Sequence, residues 1–352
     1  MMISRSRVEA YLAMAQGVGR AQPLFDVHVS PYEVIFCELD YRPNPEHPGV
    51  HSLEGTPYRP PRPGPLRVED AEAIDAVTER AEVPKKLSTM MMRKHYAHIG
   101  PRVVADQMAL SGIGKSLLIP VVRPGSDPAE QARLMFDLYG DDPRFEFAYC
   151  PVSLGSEARA VEEIRGVTAQ HPLRAIKVNA NIQGIDVASP GGRSCLEHLM
   201  AACRVTALPM IVHGGISRLL KHPRGRAFAA LGTLASIPWR DSGTPVVISH
   251  AGMFGCSSAQ VAALLPVLER LLSDNDNVMV DISGLSVPTL CAVLGRIDGA
   301  RVVFGSDALY FPQWSAVVKV LHALDLLGMP VQETFAMLAG TNPARHLFSQ
   351  ER

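Results

Sequence analysis

The sequence has no CxxC pair, no long apolar run and almost no net charge. Its six cysteines, Cys37, Cys150, Cys195, Cys203, Cys256 and Cys291, stand apart, most of them inside apolar stretches. A reduced cysteine in such a setting behaves as a small hydrophobe, so a reducing, cytoplasmic environment is the simpler expectation. No apolar stretch approaches the ~20 residues of a membrane span. The opening MMISRSRVEAYLAMAQGVGRA is interrupted by Glu9 and Gln16. A secretory leader needs an unbroken apolar stretch, so this reads as an amphipathic helix over residues 1–23. Basic and acidic side chains number 34 and 35, a formal charge of −1. That balance argues against a nucleic-acid binder or a membrane-surface protein. A dinucleotide-type glycine fingerprint is also missing, which weakens an open doubly wound sheet.

What is present is a long chain with a large core. The 352 residues are 47% hydrophobic and 20% charged. That length suits one (β/α)8 barrel with insertions. Short apolar runs recur with helical stretches between them. Strands are expected at Leu24–Val29, Ser116–Val122, Glu146–Cys150, Ala175–Val178, Pro209–His213, Pro245–His250, Val278–Ile282 and Arg301–Ser306. Helices are expected over Val68–Glu82, Val103–Leu110, Pro128–Tyr139, Ser156–Gln170, Cys195–Thr206, Gly225–Ser236, Ser258–Leu272 and Pro288–Arg296. Two closing helices follow near Trp314–Leu327 and Pro330–Leu338. The strands read as continuous apolar runs, as expected when both faces of a parallel sheet are buried. The expectation is an α/β TIM barrel forming a single domain over 1–352. A proline-rich insertion at 41–65 follows the first strand and reads as a loop without elements. It leaves the first strand on the catalytic side, where loops set specificity.

The chemical signal is positional. LFDVH ends in His28, RAIK in Lys177, PMIVH in His213, PVVISH in His250, VMVD in Asp281 and RVVFGSD in Asp307. The strand ends of such a barrel share one mouth, so these residues would converge. Imidazole and carboxylate are ligands that a borderline divalent ion takes. One histidine alone reads most simply as a hydrogen-bonded loop residue, whereas the set does not. Asp281 reads equally as an orienter of a ligand or as a helix N-cap. GIGKS at 112–116 resembles the end of a phosphate-binding loop. It stands before a strand and lacks the earlier glycine, so it reads as a helix stop. The cluster Met90–Met92 reads as packing or as a flexible lid edge.

The order FDVHVS, LPMIVHGG, VVISHAG, FGSD and TNPARHLF resembles the amidohydrolase superfamily, specifically its "amidohydrolase 2" branch, from about residue 24 to 348. The resemblance implies a divalent metal, zinc first and iron or manganese next, as one ion or two. It implies metal ligation by His28, His213 and Asp307. His250 would meet the water or substrate, or join the ligands. Ser30 stands where the branch carries its second HxH histidine. Candidates to replace that ligand are His250, His47, His51, His95, His98 and Lys177, the last also as a carboxylated bridge between two ions or as a substrate-facing cation. Catalytic roles fall on Asp307, His250 and Lys177. The implied activity is hydrolysis of an amide, ester, lactone or thioester. The alternatives are a nonoxidative decarboxylase and a metal-free barrel used for binding. Arg218, Lys221, His222, Arg224 and Arg226 form a basic stretch after His213, and the insertion adds Arg59 and Arg62. Arg218, Arg224 and Ser30 are therefore candidate substrate contacts for a small anion such as a carboxylate or an acyl-CoA. A solvated helix start is the simpler reading of the basic stretch. Relatives often dimerise, so a homodimer is among the expected states.

Overall fold

The computed structural model describes residues 2–31, 41–53, 56–68, 97–122, 127–217, 223–308 and 310–349. Eight parallel strands lie side by side in chain order: β1 (Phe25–Val29), β2 (Lys115–Leu118), β3 (Phe145–Tyr149), β4 (Ala175–Val178), β5 (Met210–Val212), β6 (Val246–Ile248), β7 (Val278–Asp281) and β8 (Val302–Val303). The first and last meet. Val27 N–H donates to the Phe304 carbonyl at 3.1 Å, and Asp307 N–H donates to the His28 carbonyl at 2.9 Å. Val29 also bridges Ala308 in parallel. The expected TIM barrel is therefore the fold.

Alternation along each strand separates two cores. Ile176, Met210, Val246, Val278 and Val302 face the helices. Ala175, Ile211, Val247, Met279 and Val303 fill the barrel with Val27 and Leu117. The strands looked uniformly apolar because both sets are buried. Leu347 joins the inner core, and Phe348 stacks on Phe25 with ring centres 4.5 Å apart. The C-terminal segment thus plugs the floor.

The outer helices include α1 (Arg5–Ala21), α2 (Pro101–Ser111), α3 (Pro128–Tyr139), α4 (Glu157–Thr168), α5 (Pro190–Thr206), α6 (Ser258–Asp274), α7 (Val287–Leu294) and α8 (Gln313–Leu326). Local chemistry sets their starts. Asp127, Ser156, Ser189, Ser257 and Ser286 each cap a helix by accepting a backbone N–H two or three residues on. Among the described residues no helix is long and apolar enough to cross a membrane.

Three expectations need correction. The helix at Gly225–Ser236 is instead a 3₁₀ turn, Pro223–Ala227, and a single helical turn, Leu231–Leu234. Gly225 and Gly232 disfavour helix, and the backbone there bonds back across its own loop. The second closing helix is α-helical only over Val331–Ala336, and wider turns follow at Met337–Thr341 and Ala344–Phe348. There Asn342 donates to the Gly299 and Val302 carbonyls, at 2.8 and 2.7 Å, pulling the chain onto the barrel floor. The proline-rich insertion also carries structure. Tyr41–Pro43 pairs antiparallel with His51–Leu53, which pairs with His98–Ile99. Pro43 is tolerated because it ends an edge strand. The helix expected at Val68–Glu82 falls almost wholly outside the described residues, and so does Met90–Met92.

Candidate metal centre

One step beyond the inner apolar layer, the same strands turn polar. Lys177, His213, Ser249 and Asp281 each lie two residues after Ala175, Ile211, Val247 and Met279. They therefore point into the barrel at its C-terminal mouth. His28 follows Val27 directly, and strict alternation would send it outward. The pairing of β1 with β2 slips between Asp26 and Val29. That irregularity lets Val27 fill the barrel while His28 also faces the mouth. Gly305 makes room for it, because a Cβ there would lie 2.8 Å from His28 Cβ and 3.2 Å from Ser283 Cβ.

Asp281 organises the cluster. Its Oδ2 accepts from His28 Nδ1 at 3.0 Å. Its Oδ1 accepts the backbone N–H groups of His250 and Ser283, each at 3.0 Å, and the Ser283 hydroxyl. His250 Nδ1 lies 2.9 Å from the Ser283 carbonyl, which can only accept. Both histidines are thus held with the proton on Nδ1 and a lone pair on Nε2. His28 Nε2 stands 3.6 Å from Asp307 Oδ1. The ring centres of His28 and His250 are 5.0 Å apart, as are those of His250 and His213. Phe254 flanks both His250 and His213, at 4.7 and 5.5 Å.

Backbone strain gathers here. His250 and Asp307 carry φ of 58° and 60°, a region that non-glycine residues rarely enter. For His250, the bond from its own N–H to Asp281 helps hold the turn.

Burial sets the protonation states. It lowers the pKa of His28 and of His213, the latter well below 6.5, and lowers that of His250 to about 3. Neighbouring Lys177 adds to each, and His250 repels His213. Asp281 runs the other way. Burial alone would raise it, but His28 and His250 outweigh burial and keep it ionised. Lys177 is lowered to about 8 by burial, against the pull of Asp281 and Asp307, and its Nζ donates to Ser249 Oγ at 3.2 Å. Asp26, behind His28, is raised to about 6 by burial. Its Oδ1 accepts from the His28 and Ser306 N–H groups at 3.1 and 3.0 Å, joining β1 to β8.

The donor chemistry fits a divalent ion. Neutral imidazoles with exposed lone pairs are the form that binds metal, and a carboxylate on the far nitrogen is the usual orienting partner. His28, His250 and Asp281 each offer a ligand atom within 4.8 Å of one another.

The other sequence candidates divide. Ser30 is buried at the end of β1, where its N–H extends the seam to the Ala308 carbonyl. His47 and His98 pack edge-on against Tyr58, with ring centres 5.3 and 5.2 Å away. His51 belongs to the small antiparallel sheet beside them. His95, Arg218, Lys221 and His222 lie outside the described residues. Arg224 lies in the turn Pro223–Ala227. The reading of Asp281 as a helix N-cap is overturned, because Ser286 caps α7. Sequence reasoning missed Ser283, which bonds both Asp281 and His250. Its only signal was its place two residues after a polar strand end.

No curated protein matches the sequence. Among solved structures the chain is similar to IDCase from Metarhizium anisopliae in apo form, with a TM-score of 0.57 and 16% identity over 95% of this chain and 99% of that one. It is similar to 5-carboxyvanillate decarboxylase from Sphingomonas paucimobilis, with a TM-score of 0.55 and 15% identity over 93% and 99%. It is also similar to 4-oxalomesaconate hydratase from Rhodopseudomonas palustris, with a TM-score of 0.52 and 12% identity over 92% and 95%. At such identities the likeness is one of fold. The amidohydrolase family model matches residues 26–348, and the chain belongs to that family.

Proposed function

We propose that this protein is a divalent-metal-dependent hydrolase acting on an amide, ester, lactone or thioester of a small anionic molecule. The observation that carries this reading is the facing pair of His28 Nε2 and Asp307 Oδ1, 3.6 Å apart, with His28 Nδ1 fixed by Asp281. His28, His213 and Asp307 would hold the ion, zinc first among candidates, and His250 would stand in for the histidine replaced by Ser30. A bound divalent ion supplies two things, a lowered pKa for water and polarisation of a carbonyl. Asp307 accepts the proton of the attacking water and returns it to the leaving group. His250 Nε2 carries a lone pair, which suits an ion or a proton better than a substrate oxygen. Lys177, buried on the barrel axis, supplies a positive charge for a substrate carboxylate. Arg218 and Arg224, the basic candidates of the sequence, would add to that attraction.

A second reading, nonoxidative decarboxylation, is favoured by the end-to-end fold likeness to a 5-carboxyvanillate decarboxylase. In it Asp307 delivers the proton that replaces carbon dioxide on the substrate carbon. Turnover of a panel of carboxylates, esters and lactones in ¹⁸O-labelled water separates the two. Label in the organic product supports the hydrolase, and release of carbon dioxide with no label in the organic product supports the decarboxylase. Preference for neutral substrates over their carboxylate counterparts would remove the anionic class. Under either reading His213→Ala and Asp307→Asn lower kcat by about a thousandfold or more while the far-ultraviolet spectrum is kept. An unchanged rate in either purified variant would sink the assignment.

A further inference from the structure

The chain leaves the barrel after His213 and comes back to it at Ala229. Two backbone bonds close the neck of this excursion. Gly215 N–H donates to the Ala229 carbonyl at 2.8 Å, and Ser217 N–H donates to the Arg226 carbonyl at 2.9 Å. The side chain of Asn181 lies within that neck. Asn181 belongs to the helical turn Ala180–Gln183 after β4 and is buried. Its Nδ2 donates to the Gly215 carbonyl at 3.1 Å and to Ser217 Oγ at 3.0 Å. Its Oδ1 accepts from Ala229 N–H at 2.7 Å. The orientation of the amide is unambiguous, because Ala229 N can only donate and Gly215 O can only accept. Ser217 Oγ in turn lies 3.3 Å from His213 Nε2.

Bonds to Gly215 and Ala229 are enough to close the neck. The bond to Ser217 adds something else, a link to a proposed ligand. We infer that Asn181 is a positioning residue for His213, acting through Ser217, so that His213 turns Nδ1 and not Nε2 toward the ion. The inference rests on the metal-centre reading above. In the inferred arrangement Ser217 Oγ accepts from Asn181 Nδ2 and from His213 Nε2–H. The tautomer left on His213 carries its lone pair on Nδ1. His250 and Phe254 stand beside the ring, with centres 5.0 and 5.5 Å away. His28 and His250 use the opposite tautomer, their Nδ1 atoms being taken by Asp281 and Ser283. The centre is thus built from histidines of two orientations, each fixed by the hydrogen bond that its other nitrogen makes.

The test uses the full chain labelled with ¹⁵N-histidine, with the His213 signals assigned by their loss in His213→Gln. Long-range proton–nitrogen correlation reads the tautomer in zinc-free protein, and competition with a chromophoric chelator gives the Kd for zinc. In the wild type Nε2 is expected to be protonated, and the Nδ1 signal moves when zinc is added. Ser217→Ala keeps the bonds of Asn181 to Gly215 and Ala229. It is expected to mix the tautomers and to weaken zinc about 10- to 100-fold. Ser217→Thr is expected to restore both. Asn181→Leu should shift them as Ser217→Ala does, with a lower Tm besides. A wild-type His213 protonated on Nδ1 would overturn the inference. So would Ser217→Ala with unchanged tautomer and Kd. If wild type binds no zinc, the metal-centre reading fails, while the zinc-free tautomer still decides on the clamp.

Discussion

At the scale of residues, the site is a set of buried groups kept in the form that chemistry needs. His28, His213 and His250 are neutral because burial lowers their pKa values. This has a consequence for stability. Each titrates near 6.5 in the unfolded chain and lower in the folded one. As pH falls through 6.5 the unfolded chain takes up protons that the folded chain refuses, and stability is lost. For His250 the window runs from 6.5 to about 3. Asp26 opposes this in part. Its folded pKa is raised to about 6, so its contribution grows as pH falls from there toward 3.8. The histidines outnumber it, and each adds up to about 1.4 kcal/mol per pH unit. Urea midpoints of metal-free protein should fall between pH 7 and pH 5, and less steeply in His250→Gln. A flat profile would contradict the neutral cluster. Gly305 gives a second prediction. Gly305→Ala puts a Cβ 2.8 Å from His28 Cβ and 3.4 Å from Asp281 Cγ. Overpacking of this kind costs about 1–3 kcal/mol. The variant should lose Tm and metal affinity together, and retention of both would show that the cluster has slack.

Much of this cluster was legible in the sequence, since His28, His213, His250, Asp281 and Asp307 each end an apolar run. Their hydrogen-bond partners were not. Which nitrogen of His250 carries the proton depends on the carbonyl of Ser283, a residue whose type says nothing about that role. The positive φ of His250 and Asp307 was equally hidden, because neither residue type demands it.

At the scale of elements, strand and helix order followed directly from the apolar runs and caps. The departures occur where long-range bonds outweigh local preference. The irregularity in β1 depends on its pairing with β2 and cannot be seen in FDVHV alone. The excursion after β5 is broken by its return bonds to Gly215 and Ser217. The small sheet in the proline-rich insertion needs His98–Ile99, a partner far along the chain. The C-terminal segment shows the same rule with an energetic consequence. Leu347 is 2% exposed and belongs to the inner core of the barrel. Leu347→Ala should destabilise the protein by about 2–5 kcal/mol through lost burial and the cavity left behind. Chemical denaturation checks it, and a loss below about 1 kcal/mol would mean the floor is sealed without this side chain.

At the scale of the whole molecule, the barrel was readable because one βα unit repeats around it. Eight strands in chain order, closed between Val27 and Phe304, bring residues some 280 positions apart in sequence to one mouth, as His28 and Asp307 show. The fold carries no reaction by itself, and the same architecture hosts many chemistries. The central claim is therefore about the ion. Its most direct test is metal content per chain, by elemental analysis of protein purified without added metal or chelator, for the native chain and for His213→Ala. About one divalent ion per native chain, lost in the variant, is the expected result. A native chain that holds no ion, and gains no activity after reconstitution with zinc, iron or manganese, would contradict the claim and leave a metal-free barrel.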